Sequence, residues 1–503
     1  VPSLVASRVS FAYSDSVPLI HDLSLDLHPG WTGVVGANGA GKTTLLRLLA
    51  GELEPDEGCV QRRPTSLRSR VCPQTVEELG ADVRGLAVAQ QGAAQRLRGQ
   101  LALEPAELER WPSLSPGERK RWQVGAALFA EPHLLILDEP TNHLDASARE
   151  RLLFALTAFA GLGLLVSHDR TLLDALTTTT LRFHRGRVRV WRGSYSEAQQ
   201  AWESEEREQL DAYQKLQSEK RKLRRRLADA RQKRAEAEAR MKRKMRRAPI
   251  KDIDTRKRFS AKRRRSAEVS LGWEVHKLHG SLDRVEEKAA VFDLAKARGR
   301  SLFVDWEPAP VATLLSFDGD QLCAGERELL SDVHVRVERG SRIHLCGDNG
   351  AGKTTLVRAL LDAPHVPDTR ILHLPQELSC DEGARLLAEL RQTPDELQGR
   401  ILAILAALGV DPAALLASAS PSPGEVRKIA LAGGLARLAW VLVLDEPTNH
   451  LDLPSIERIE AALADYPGAL LIVTHDDAFA RRCTTTQWRL RAGHVEVASC
   501  APA

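Results

Sequence analysis

The chain has 503 residues, of which 43% are hydrophobic and 27% charged, with a formal net charge of +4. Its length suggests two or three domains, each large enough for its own core, and the composition is that of a soluble globular protein. The longest apolar run, 152–166, is broken by Thr157, Gly161 and Gly163 and reads as a helix followed by a core strand, which excludes a membrane span.

The N-terminal stretch VPSLVASRVSFAYSDS has no basic start leading into a hydrophobic segment, so no signal peptide is expected. The first chemical signal is GANGAGKTT at 36–44, which fits the phosphate-loop pattern G-x-x-x-x-G-K-[ST]. Gly36, Gly39 and Gly41 let backbone N–H groups turn inwards to cradle phosphate oxygens. Lys42 then reaches the β- and γ-phosphates, and the Thr43 hydroxyl ligates Mg2+. CPQ follows at 72–74 and SPGE at 115–118. The latter spells a capping box with Pro at the first helical position, and a helix N-terminus with an exposed Ser is also an anion site. Seven cysteines without a CxxC pair argue against zinc or iron–sulfur sites; scattered buried thiols in a reducing cytosol are expected.

The apolar runs HLLILD (133–138) and LGLLVS (162–167) suit strands buried on both faces of a parallel sheet, with helical stretches between them. Asp138 ends the first run, where open α/β sheets place ligand-binding carboxylates, and Mg2+ needs such a group directly or through water. Glu139 is next to it, positioned to orient and deprotonate the attacking water. His168 ends the other strand and is read as a contact to the γ-phosphate.

A different kind of segment follows. From 196 to 247 there is no Pro or Gly, and helix-favouring residues dominate. Pro249 and IKDID break the pattern, and a second helical stretch is expected over about 255–297, with Gly272 and Gly280 as weak points. Two antiparallel helices joined by a short turn fit best. At ~1.5 Å per residue they would be ~70 Å long. Residues 221–270 hold 22 Lys and Arg against 6 Asp and Glu, a local charge of +16, so the rest of the chain carries −12.

The motifs then return in order: GDNGAGKTT at 347–355, LPQ at 374–376, SPGE at 422–425, LVLDEPTNHLD at 442–452 and VTHD at 473–476. DEPTNHLD itself is identical at 138–145 and 445–452, and the offsets of 302 to 311 residues establish two copies of one domain. The domains are placed at 1–195 and 305–503, with the helical insert at 196–304. Gly347, Gly350, Gly352, Lys353 and Thr354 take the phosphate-loop roles in the second copy, and Asp445, Glu446 and His475 match Asp138, Glu139 and His168.

With these motifs the chain resembles a tandem ATP-binding cassette protein, carrying Walker A, Q-loop, signature, Walker B, D-loop and switch-histidine motifs in both halves. The fold implied is α/β: two ABC-type P-loop nucleotide-binding domains joined by a long antiparallel α-helical hairpin. The resemblance implies that the signature of one cassette closes over ATP held by the other. Ser115, Gly117, Ser422 and Gly424 would then complete sites built on Asn38, Thr44, Asn349 and Thr355. Gln74 and Gln376 would join Thr43, Asp138, Thr354 and Asp445 at Mg2+. Glu139, Glu446, His168 and His475 would be catalytic. Signatures of this superfamily usually read LSGGQ or LSGGE; here they are LSPGE (114–118) and PSPGE (421–425), so Pro116 and Pro423 each remove one N–H. Tyr13 fits the aromatic that stacks on adenine, and the second copy has no aromatic at the matching spacing.

Within the superfamily, the lack of a transmembrane span and a helical linker between cassettes resemble the ABC-F group, as do both DEPTNHLD motifs and GSYSEA at 193–198. Only 41 and 46 residues separate Q-loop from signature in the two copies, which leaves no space for an added arm. The resemblance implies a cytoplasmic, monomeric ATPase that binds the ribosome at the tRNA exit site. Its linker would point towards P-site tRNA and the peptidyl-transferase centre, in translation regulation or antibiotic-resistance ribosome protection. Large-subunit rRNA and P-site tRNA are the partners implied, with no membrane. The expected phosphate contacts are Arg224, Arg225, Arg226, Lys242, Arg243, Lys244, Arg246, Arg247, Arg263, Arg264 and Arg265. A DNA-associated ABC ATPase and the ATPase subunit of a transporter are the alternatives.

Overall fold

The apolar runs form the centre of each sheet. In the first half, Leu134, Leu135, Ile136 and Leu137 are wholly buried in strand Leu134–Asp138, and Leu162–Val166 beside it is buried throughout. Burial on both faces is why these strands read as continuous rather than alternating. The sheet runs Ser69–Cys72, Leu134–Asp138, Leu162–Val166, Gly30–Gly36, Thr177–His184 and Arg187–Arg192. All neighbours are parallel except the last pair. The second half repeats the order with Ile371–Leu374, Val441–Asp445, Ala469–Val473, Arg342–Gly347, Thr486–Arg491 and His494–Ser499.

The computed structural model describes residues 2–13, 19–142, 144–184, 187–246, 273, 275–286, 306–325, 327–348 and 350–499. Contacts divide the chain into Val1–Ala198 with Arg300–Ala503 as one unit, and Gln199–Gly299 as another.

In the first unit an antiparallel sheet covers the phosphate-loop helix of each half. Strand Ile20–Leu27 alternates, burying Leu23, Leu25 and Leu27, and pairs with Ser3–Phe11, which also pairs with Glu57–Arg63. These side chains share a core with Leu45, Leu48 and Leu49 of helix Lys42–Ala50. Between Q-loop and signature the chain folds into short helices, Ala81–Val88 and Gly92–Leu101 in the first half, Cys380–Gln392 and Asp395–Ala407 in the second. The phosphate loop, Walker B carboxylates and switch histidine all follow the C-terminal ends of parallel strands, where such sheets bind ligands.

Among the cysteines whose side chains are described, the expectation of buried thiols holds for Cys72 and Cys483; Cys59 and Cys323 are exposed and Cys346 is half-buried. Cys59 lies on the edge strand Glu57–Arg63, most of whose side chains face water, a setting that composition does not reveal.

The described residues of the second unit are helical. Helix Tyr195–Arg246 has 52 residues, a length of about 78 Å. Residues 275–286 form a helix that passes straight through Gly280. It runs antiparallel to the first: Lys220 and Arg224 both meet Glu286 at 2.9 Å, while Arg231, further along, meets His279. Leu227 and Ala230 are buried on one helix, Leu282 and Val285 on the other. The turn expected near Pro249, and with it Arg247, Arg263, Arg264 and Arg265, lies outside the described residues. The side chains of Lys242, Arg243, Lys244 and Arg246 do so too.

Candidate ATP sites

Each phosphate loop ends in a glycine whose backbone only glycine tolerates well. Gly41 and Gly352 start helices Lys42–Ala50 and Lys353–Asp362 with φ of 103° and 99°, the left-handed turn that brings the loop's N–H groups to one side. Lys42 Nζ donates to the carbonyls of Gly36 at 2.8 Å and Ala37 at 3.0 Å. Lys353 Nζ repeats this with Gly347 at 2.6 Å and Asp348 at 3.1 Å. Burial lowers the pKa of both lysines, against the pull of nearby carboxylates. Asn349 lies outside the described residues; Gly350, Thr354 and Thr355 lie on the second loop and the start of its helix.

Thr43 Oγ1 is 3.4 Å from Asp138 Oδ2, so the hydroxyl and carboxylate expected at Mg2+ are adjacent. Tyr13 stands edge-on to Phe11, its hydroxyl 3.3 Å from Thr44 Oγ1 and its ring 65% exposed, open to a stacking base.

Glu139 and Glu446 follow their strands in left-handed backbone, φ 47° and 46°. For a non-glycine residue that conformation costs roughly 1–3 kcal/mol and persists where its surroundings enforce it. Here each N–H is held by the neighbouring strand, Glu139 to the Val166 carbonyl and Glu446 to that of Val473. Sharp turns leave both carboxyls nearly buried. Burial, reinforced by Asp138, pushes Glu139 up to about 8; burial pushes Glu446 up to about 7. The switch histidines shift the other way, burial taking His168 down to about 3 and His475 to about 4. Each glutamate therefore faces a neutral imidazole: His168 Nε2 is 3.1 Å from Glu139 Oε1, and His475 Nε2 is 3.7 Å from Glu446 Oε1.

The two halves meet at the first site. A cavity of about 880 Å3 is lined by Tyr13, Lys42, Thr43, Asp138, Glu139 and His168 from the first half and by Ser422 and Gly424 from the second. Asn38 N donates to Asp452 Oδ2 at 2.7 Å and Asn38 Nδ2 to the His450 carbonyl at 3.4 Å. Both signatures fold as capping boxes: Ser115 and Ser422 accept from the N–H of Glu118 and Glu425, whose carboxylates accept from the serine N–H in return. Pro116 and Pro423 occupy the first helical position. Each serine hydroxyl also donates to its own glutamate at 2.7 Å. Among the described residues, no hydrogen bond joins Ser115 or Gly117 to the second half.

Several residues outside the motifs shape these sites. Lys120, 3% exposed, donates to the carbonyls of Pro73, Gln74 and Asp138, binding the signature helix to Q-loop and Walker B strand. Arg427 does the same with the carbonyls of Gln376 and Glu446. Both stand at the same register in the repeat, the one signal that could have found them. Further along the seam between halves, Arg170 meets Glu460 at 2.7 Å, Arg482 meets it at 3.2 Å, and Tyr195 Oη donates to Glu457 at 2.6 Å. Arg149 Nη1 donates to the His475 carbonyl at 2.8 Å.

The cavity suits a polyanion with a hard cation. His168 Nδ1 is buried there without a hydrogen-bond partner, and Glu139 Oε1, close to His168 Nε2, accepts no well-formed hydrogen bond. Hydroxyl, carboxylate and amide oxygens of Thr43, Asp138 and Gln74 are the donors Mg2+ prefers. Two phosphate loops, each with a strand-end carboxylate, a bent-back glutamate and a histidine, define a tandem P-loop ATPase.

The ABC transporter family profile matches residues 20–142 and 330–449. The chain is 31% identical to the tylosin resistance ATP-binding protein TlrC of Streptomyces fradiae, over 97% of both chains. It is 28% identical to the ribosome protection protein VmlR of Bacillus subtilis, over 97% of this chain and 87% of that one. It is 26% identical to the energy-dependent translational throttle protein EttA of Haemophilus influenzae, over 93% and 88%. Among solved structures, the RNase-L inhibitor matches with a TM-score of 0.57 at 18% identity, over 98% of this chain and 90% of that one, a likeness of fold. The chain belongs to the ABC-F family of tandem ATP-binding cassette ATPases. It hydrolyses ATP to ADP and phosphate. No described helix is long and apolar enough to cross a membrane.

Proposed function

We propose that this ATPase works in the cytoplasm on the ribosome. It binds at the tRNA exit site and directs its basic linker, 196–304, towards P-site tRNA and the peptidyl-transferase centre. There it acts in antibiotic-resistance ribosome protection or translation regulation. One observation carries the reading: 221–270 has a charge of +16 in a chain whose remainder is −12. Such a segment needs a polyanion, and its scarcity of aromatics favours phosphate contact over base stacking. The names of the relatives, which refer to ribosome protection, drug resistance and translational throttling, support the same class.

Within this reading Lys42 and Lys353 bind the β- and γ-phosphates, and Ser422 and Gly424 close over the first ATP as Ser115 and Gly117 do over the second. Glu139 and Glu446 orient the attacking water and take its proton, while His168 and His475 contact the γ-phosphate. Thr43, Gln74 and Asp138 would hold Mg2+ at one site, and Thr354, Gln376 and Asp445 at the other. When bound, the ion neutralises charge on the phosphate oxygens.

The test uses Glu139→Gln with Glu446→Gln, which removes both bases and should trap an ATP-bound closed state. In that background Lys242, Arg243, Lys244, Arg246 and Arg247 are changed to Gln, preserving helix propensity. Cosedimentation with 70S particles should fall, and its salt dependence should flatten as phosphate contacts are lost. Unchanged association at every salt concentration would refute the RNA contact and reopen the DNA and transporter alternatives. Growth of a sensitive host on large-subunit antibiotics then separates protection from regulation.

A further inference from the structure

We infer that Arg149, carried by the first cassette, is a positioning residue for ATP hydrolysis at the second site, and that the two sites are unequal in consequence. The inference rests on Glu446 being the base of that site, as proposed above.

Arg149 lies in the first turn of helix Ala146–Thr157, which Asp145 caps by accepting from the Ala148 N–H at 2.8 Å. Its guanidinium leaves its own cassette. Nη1 donates to the His475 carbonyl at 2.8 Å, and the His475 N–H in turn bonds to Glu446. Nε is buried without a hydrogen-bond partner, 3.9 Å from Asp169 Oδ2. One cation from the first half thus holds the switch of the second half at the backbone.

Among the described residues the first site has no equivalent. The identical octapeptides set the register, and the residue matching Arg149 is Ile456, 1% exposed and without a donor. The groups that draw Glu139 down are Lys42, the His168 N–H and Lys120, all from its own cassette. Glu446 is faced by Lys353, Asp445, Arg427, the Thr474 hydroxyl and the His475 N–H of its own cassette, and by Arg149 from the other. Across the seam His168 faces Asp452, while His475 faces Asp145 together with Arg149.

The test isolates each site in the full chain. Glu139→Gln leaves the second site turning over, and Glu446→Gln leaves the first. The kcat and KM for ATP are then measured with Arg149, Arg149→Gln or Arg149→Lys. In the Glu139→Gln background, Arg149→Gln should lower kcat several-fold while KM stays within about twofold, because the phosphate loop is untouched and the switch backbone loses its brace. Arg149→Lys, which keeps a donor for the His475 carbonyl, should recover part of kcat. In the Glu446→Gln background kcat should stay in place. An equal loss in both backgrounds, or none in the first, would overturn the inference. Should Arg149→Gln melt early, Arg149→Lys carries the comparison, since a smaller loss of the same sign is required of it. If Glu446→Gln alone leaves total turnover unchanged, the base assignment has failed instead, and the inference goes with it.

Discussion

Replacing Glu460 by Ala tests what holds the cassettes together. Arg170 and Glu460 are 6% and 3% exposed and meet at 2.7 Å across the seam. Burial works against the Arg170 charge, but the carboxylate beside it outweighs this and raises the guanidinium further. Two of its nitrogens, Nε and Nη2, already lack hydrogen-bond partners. Deleting the carboxylate would strand the cation, a change that typically costs about 3–5 kcal/mol. Arg482 offers no rescue: it is half exposed and bonds to the same carboxylate. Because the pair links the halves, the loss should appear as weaker cassette association; at 1.4 kcal/mol per decade, ~3 kcal/mol is roughly 100-fold. Arg170→Met with Glu460→Leu should restore most of it, since an apolar pair of similar volume avoids the desolvation of both ions. Urea unfolding at saturating ATP, followed by tryptophan fluorescence, reads both. A single variant within ~0.5 kcal/mol of the parent, or a double variant as weak as the single, would refute the reasoning.

The raised carboxyls make a stability prediction. The folded state keeps protons on Glu139 up to about 8 and on Glu446 up to about 7, whereas the unfolded chain releases them near 4.5. Stability of the nucleotide-free chain should therefore fall as pH rises through that window, by roughly a few kcal/mol. Glu139→Gln with Glu446→Gln should flatten the melting temperature between pH 5 and 8.5; parallel curves would contradict the shifts. Pro116→Gly and Pro423→Gly restore an N–H at the signature but lose a preset helix start, so stability should change by no more than ~1 kcal/mol. ATP closure should be similar or modestly tighter, and complete loss of turnover would reveal another role for the prolines. Lys120→Met should destabilise by ~1–3 kcal/mol by leaving buried carbonyls unpaired. Lys120→Arg should be tolerated, because Arg427 does the same work in the other half; thermal melts and turnover compare the two.

Much of the site was legible because its residues are local. A phosphate loop, a carboxylate pair at a strand end and a capping box each lie within a few adjacent positions, and their repetition removed the ambiguity of any single copy. Helix Tyr195–Arg246 was equally plain from the absence of Pro and Gly. What could not be read is long-range. Arg170 and Glu460 are 290 positions apart, and Tyr195 and Glu457 are 262 apart. Each looks like an ordinary polar residue on an amphipathic helix until the partner is known. Lys120 and Arg427 sit in charged stretches that resemble solvated helix faces, and only the fold buries them. The left-handed backbone of Glu139 and Glu446 also has no signature in residue type, since it is enforced by a carbonyl on the neighbouring strand.

The bridge at Glu460 has a mirror position that is empty of charge pairing. In a symmetric pair of identical subunits every contact occurs twice, so any residue must suit both of its appearances. The repeat register maps Arg170 onto Asp477 and Glu460 onto Leu153. Asp477 is exposed and Leu153 half-buried, and a carboxylate facing a leucine makes no bridge. Fusing the halves into one chain has freed each side of the seam to change alone. One side of the seam therefore carries buried ions that the mirrored side lacks, an asymmetry closed to a symmetric dimer.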